Sequence, residues 1–150
     1  MNPFEQIKHT KEDYRGELSE TAPDSSSEAS PAAKLWRAGL APEDWPKVKQ
    51  AANCIHDNLY GLQLTVGWMK QECLISGNNF TSRFTYCLQK TPKQYITYHR
   101  VEVAKMLLSH NVLTSIKLST IAYELGFSTV STFSKSFKRE TGMSPGQWRE

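Results

Sequence analysis

The chain is 150 residues long, 39% hydrophobic and 22% charged, enough for one domain with a core and a polar appendage. No run approaches the roughly 18 apolar residues of a membrane span, and the opening MNPFEQIKHT lacks the apolar stretch of a secretory signal, so no membrane partner and a cytoplasmic location are expected. The net charge of +3 conceals a division: residues 1–45 hold five Lys/Arg and nine Asp/Glu, whereas residues 46–150 hold thirteen and six, the basic balance of a nucleic-acid-binding domain.

Residues 1–45 read as a flexible, largely disordered acidic N-terminal tail, with GELSETAPDSSSEASPAAK (16–34) offering almost nothing to bury. A short helix near 31–38 is predicted at its exit, because Ser30 can cap, Pro31 suits the first helical position and Gly39 the stop. Its Leu35 and Trp36 would dock on the domain that follows or engage a protein partner. From Pro46 the pattern is helical: Val48, Ala52, Ile55 and Leu59 share a face, and Gly61 is the expected stop. Thr65 is a candidate N-cap before Val66 and Met69, and Ser76 precedes GNNFTSRF. PKQYITYHRVEVAKMLLSH reads as one long helix burying Ile96, Val103, Ala104, Leu107 and Leu108. Helices over 118–125, 128–139 and 144–149 complete about seven, with no strand alternation, so the fold class is all-α.

Cys54, Cys73 and Cys87 are an odd set without a CxxC pair, which predicts reduced thiols rather than a disulfide framework or a zinc cage. Neither a metal nor another cofactor is expected. An enzyme is not expected either, since no Ser/His/Asp or paired-carboxylate arrangement stands out.

The stretch IAYELGFSTVSTFSKSF, 121–137, concentrates the functional signal. Ile121, Ala122 and Leu125 form the inner face of one helix, Gly126 permits a positive φ, Phe127 turns inward and Ser128 can cap a second helix buried through Phe133 and Phe137. That is the layout of a helix-turn-helix, whose second helix enters the major groove. A plain helical hairpin with Val130 in the core has the same local pattern, and the turn alone leaves both readings open. On the first reading Thr129, Val130, Ser131, Thr132 and Lys135 face base edges, where hydroxyls donate or accept, Lys favours guanine and Val130 meets a thymine methyl. Lys138, Arg139 and Ser128 are placed for phosphates.

The segment IAYELGFSTVSTFSKSFKRETGMSPGQWR resembles the signature of AraC-type transcription regulators, with its Ile-Ala, Gly-Phe-Ser turn, Ser-x-Phe, Phe-Lys and Gly-Met-Ser-Pro at matching intervals. Upstream, QYITYHRVEVAKMLL is similar to the family's linker helix at Arg100, Ala104, Leu107 and Leu108, with Arg100 in a structural role. The resemblance covers about 46–150 and implies two helix-turn-helix units, at about 65–88 and 118–138, joined by a linker helix at about 92–108. It places Asn78, Asn79, Thr81 and Ser82 on the first recognition helix as base readers, with Thr65, Arg83 and Lys117 as further phosphate contacts. The first unit departs from the pattern: Lys70 stands for the small residue at the helix crossing, Leu74 for the turn glycine and Gln89 for the glycine before the Pro turn.

The implied function is a sequence-specific bacterial regulator of transcription, an activator acting beside RNA polymerase, that sets two recognition helices in successive major grooves of double-stranded DNA as a monomer. The alternative from another class is a protein-interaction module whose irregular first unit has lost DNA binding. A thiol or metal sensor built on the cysteines is a third reading with less behind it, because no complete ligand spacing is present.

Overall fold

The computed structural model describes residues 2–14, 44–75 and 79–150, and every element among them is helical. The predicted helix near 31–38 lies outside the described residues. The elements are α1 (Pro3–Asp13), α2 (Asp44–Asp57), α3 (Val66–Glu72), α4 (Phe80–Leu88), α5 (Pro92–Leu108), a 3-10 turn (Asn111–Leu113), α6 (Leu118–Glu124), α7 (Val130–Thr141) and α8 (Pro145–Arg149). They form two compact units: among the described residues, 44–58 with 63–75 and 79–96, and 2–14 with 59–62 and 97–150.

The first unit is built on α2, α3, α4 and the start of α5. Its core is Val48, Ala51, Ala52 and Ile55 from α2, Met69 from α3, Phe80 and Phe84 from α4, and Tyr95 and Ile96 from α5. Phe80, Phe84 and Tyr95 pack ring on ring at centroid distances of 5.7 and 5.3 Å, a geometry that adds to plain area burial. Helix α2 stops at Asp57 rather than running to Gly61, because the Asn58 N–H already turns back to the Ile55 carbonyl; Leu59 is buried all the same.

In the second unit the far part of α5 supplies Val101, Val103, Ala104, Leu107 and Leu108, met by Leu113, by Ile121, Ala122 and Leu125 of α6 and its turn, and by Phe127, Phe133 and Phe137. Phe127, Phe133, Phe137 and Trp148 form a continuous aromatic chain at 5.2, 5.9 and 5.7 Å.

One correction concerns the tail. Residues 3–13 form a helix that belongs to the second unit, so the flexible extension expected over 1–45 does not include them. Asn2 caps α1 by accepting the Phe4 N–H at 2.9 Å, and Pro3 occupies the first helical position. Ile7 is only 1% exposed, Thr10 is buried beside it, and the helix packs on the 3-10 turn. Its C-terminal end is tied by Lys11 Nζ to Glu124 Oε2 at 3.1 Å, by the Tyr60 hydroxyl donating to the Lys11 carbonyl at 3.0 Å, and by Tyr14 Oη, which lies 2.6 Å from His99 Nδ1. A stripe one residue wide in an acidic segment gave little periodicity to read, but Asn-Pro followed by Glu5 is a helix-start signal that was there.

A second correction concerns the thiols. Cys54 of α2 and Cys73, the residue that closes α3, are joined in a disulfide, with their Cα atoms 6.6 Å apart. Spacing along the chain carries no sign of it, since the helices that bring the two together are fixed by the core and not by the cysteines.

Candidate nucleic-acid interface

The two units repeat one backbone device. In the second, the Leu125, Gly126 and Phe127 N–H groups return to the carbonyls of Ile121, Tyr123 and Ala122 at 3.1, 3.0 and 3.0 Å. In the first, Cys73, Leu74 and Ile75 return to Met69, Gln71 and Lys70 at 2.9, 3.3 and 2.8 Å, residue for residue the same pattern. Gly126 sits at φ +89° and Leu74 at φ 54°. The helix that follows ends the same way in each unit, with Gly142 at φ +86° and Gln89 at φ 62°. Leu74 and Gln89 therefore adopt the left-handed backbone that the glycines take elsewhere, at a cost of about 1–2 kcal/mol each. Beyond each end stands a Pro-containing capping box: Thr91 with Gln94, and Ser144 with Gln147, each pair exchanging two bonds of 3.0 and 3.2 Å.

The departures at positions 74 and 89 thus leave the backbone of the first turn unchanged. Lys70, at the position of the fully buried Ala122, is accommodated by turning outward: it is half-buried with its Nζ 5.6 Å above the Phe80 ring.

The second turn is buttressed from below. Arg100 is only 8% exposed, its Nε donating to the Leu59 carbonyl at 2.8 Å and its Nη2 to the Gly61 carbonyl at 3.0 Å, while the guanidinium lies 5.6 Å from the Phe127 ring. Burial pulls its pKa down to about 10, still cationic at neutral pH. Arg100 is a structural clamp within this unit, as the resemblance implies, and not a base reader.

On α7, Phe133, Ser136 and Phe137 face inward. At 3.6 residues per turn Lys135 falls in the middle of the opposite face, with Ser131 and Lys138 on one flank and Thr132 and Arg139 on the other, all exposed. Val130 stands at the first position of the helix, 39% exposed and so not part of the core. The cap is Thr129 rather than Ser128: the Thr129 Oγ1 accepts the Thr132 N–H at 3.1 Å, and its hydroxyl donates to Thr132 Oγ1 at 2.9 Å. Ser128 is exposed just before the cap. The Thr129 and Thr132 hydroxyls are thereby partly engaged with each other, whereas Ser131 and Lys135 are exposed to solvent. Arg139 stands 3.8 Å from Glu140, a solvent-exposed pair worth little. Lys117 is exposed at the start of α6.

On α4, Phe80, Phe84 and Cys87 face inward, leaving Thr81 and Ser82 exposed. Asn78 lies outside the described residues. Asn79 is exposed at the N-cap position but makes no side-chain capping bond, which leaves its amide for another partner. Arg83 is half-buried between the inner and outer faces. Thr65 caps α3, accepting the Trp68 N–H at 3.1 Å, so part of its hydroxyl's capacity is already used. Superposing the Phe80/Phe84 and Phe133/Phe137 pairs in register sets Ser82 against Lys135 and Tyr86 against Arg139. Tyr86, 41% exposed, is a surface residue that the sequence reading passed over. The Phe-x-x-x-Phe repeat was the signal that could have found it. The outer face of α4 is hydroxyl-rich where that of α7 is cationic.

Comparison with known proteins agrees with this geometry. A family model for a helix-turn-helix domain matches residues 71–150. An AraC-like transcription regulator of Streptomyces lividans is 32% identical over 115 residues, covering 77% of this chain and 36% of that protein. The HTH-type transcriptional activator RhaR of Escherichia coli is 46% identical over 59 residues, 39% of this chain and 20% of that one. The solved C-terminal domain of AraT, a response regulator from Geobacillus stearothermophilus, superposes with a TM-score of 0.63 at 27% identity, over 69% of this chain and 84% of that domain. The chain spans about a third or less of the length of these two regulators. With a duplicated helix-turn-helix in place and the family model covering more than half of its residues, the chain belongs to the AraC-type helix-turn-helix family.

Proposed function

We propose that this chain is a sequence-specific DNA-binding regulator of bacterial transcription, working in the cytoplasm, that lays α4 and α7 into successive major grooves of double-stranded DNA. The observation that carries this reading is the outer face of α7: Lys135 exposed in its centre with Ser131 on its flank, Lys138 and Arg139 toward its end, on a helix held from behind by Phe133 and Phe137. Lysine in mid-helix suits guanine O6 and N7, and the flanking cations suit phosphates that fix register. The Asn79 amide, with Thr81 and Ser82, would read the other groove, and Thr65, Arg83, Lys117 and Ser128 would meet phosphates. Likeness to a transcriptional activator over 59 residues favours activation, and RNA polymerase is the protein partner that an activator bound beside a promoter would meet.

Sites selected from genomic DNA test the reading, followed by Lys135→Ala and Asn79→Ala separately. Each is expected to lose about 1–3 kcal/mol and to relax specificity in one half of the site. With about 6–10 phosphates contacted, affinity should fall on the order of 10³-fold or more between 50 and 200 mM salt. Binding that ignores both substitutions and salt overturns the reading.

A further inference from the structure

The first helix-turn-helix carries a device absent from the second. Cys73 closes α3 and immediately precedes Leu74, the residue held in the left-handed backbone; its sulfur is bonded to Cys54 of α2, and its carbonyl accepts the Gln50 Nε2–H at 3.0 Å. The second turn keeps the same shape with a glycine and the Arg100 clamp. The first keeps it with a leucine whose side chain is 88% exposed and which contributes no packing of its own. What ties this turn to α2 is the disulfide with the Gln50 bond beside it. Neither cysteine is deeply buried: both line an open surface depression with Lys49, Gln50 and Asn53, so a small thiol can reach the sulfurs. Reachable disulfides in a thiol-rich compartment exchange, and those that persist there serve as redox sensors more often than as staples.

We infer that Cys54–Cys73 is a reversible thiol–disulfide site whose oxidation state governs how firmly α4 is presented to DNA, an inference that rests on the proposed function for its consequence but not for its chemistry. A thiolate of a dithiol reductant attacks one of the two sulfurs, the protein S–S bond breaks, and a mixed disulfide forms as one cysteine leaves as thiolate. The reductant's second thiol then attacks the mixed disulfide, departs as its own cyclic disulfide and releases the other cysteine. Two electrons and two protons pass from the dithiol to the pair. Re-oxidation runs in the opposite sense, with a low-molecular-weight disulfide accepting the two electrons. In the reduced state Leu74 has lost its tether and the left-handed turn relaxes, so the start of α4 loosens.

The full chain, treated with oxidised glutathione or with dithiothreitol, is alkylated and mapped by mass spectrometry, and amide exchange over 66–88 is followed in both states. Cys54 and Cys73 should resist alkylation only after oxidation; exchange over 73–75 and 79–82 should quicken on reduction and slow again on re-oxidation. Cys54→Ser should exchange like the reduced chain and ignore dithiothreitol, and Cys73→Ser should do the same. Affinity for the selected DNA should fall about 5- to 150-fold on reduction, the range of an ordinary coupling between two sites. Alkylation of both cysteines after oxidation, equal exchange in the two states, or equal DNA affinity in the two states overturns the inference. Absence of DNA binding in both states counts against the proposed function alone, because alkylation and exchange still decide whether the turn is redox-gated.

Discussion

A Cβ atom added to Gly126 would lie 2.8 Å from Arg100 Nη2 and 3.0 Å from the Tyr60 carbonyl oxygen, so the helix-turn-helix turn and the guanidinium clamp beneath it exclude any side chain there. Gly126→Ala is therefore expected to destabilise the chain twice over. The positive φ alone costs about 1–3 kcal/mol, and Arg100, held by the Leu59 and Gly61 carbonyls, has to give up one of those bonds to make room. Urea unfolding, read as a midpoint shift at constant slope, measures it.

Leu74→Gly should do the reverse. The backbone at φ 54° already has the glycine conformation, and the exposed leucine side chain loses little on removal. Relief of about 1–2 kcal/mol of left-handed strain exceeds the roughly 0.4–1 kcal/mol by which glycine loosens the unfolded chain. A net gain of about 0.5–1 kcal/mol is expected, and a fall in thermal midpoint would show that the turn is not strained.

Removal of residues 1–14 is expected to weaken the second unit rather than merely shed acidic charge. Ile7 is sealed against this unit, so Ile7→Ala should cost about 2–5 kcal/mol, as a buried large-to-small change does. Lys11→Ala, which removes the half-exposed pair with Glu124, should cost less than about 1 kcal/mol. Equal and negligible effects of both would mean that α1 does not dock.

Stability should fall as pH drops through the range just below the ordinary histidine value. His56 is partly buried with its Nε2 2.7 Å from the Tyr95 hydroxyl, and burial lowers its pKa while Asp57 partly opposes the shift. Above about pH 6.5 the ring is neutral folded or unfolded and contributes no pH dependence. Below that value the unfolded chain takes up the proton more readily than the folded one, so stability is lost until the folded pKa is passed. His56→Gln should flatten the profile on the acid side of about pH 6.5, checked by denaturant midpoints at each pH. The Tyr95 hydroxyl, pushed up to about 12 by burial, stays protonated throughout.

Which residues would be helical and which inward was determined by the sequence from residue 46 onward. Apolar spacing placed Val48, Ile55, Leu107, Phe133 and Phe137 in the core because a helix returns to the same face every three or four residues. Gly126, with its local backbone reason, and the Gly-Met-Ser-Pro and Phe-Lys runs of the family resemblance announced the second helix-turn-helix. Only the tertiary structure decided the rest. Leu74 and Gln89 keep the glycine conformations without being glycine because the hydrogen bonds of the turns, joined at Leu74 by the adjoining disulfide, impose them, a constraint invisible in residue type. Cys54 and Cys73 meet because α2 and α3 pack against each other, which the type and spacing of the two cysteines do not announce. The docking of α1, which buries Ile7 and Thr10, depends on the 3-10 turn and on Glu124 of α6, more than ninety residues downstream, and no local pattern can specify that.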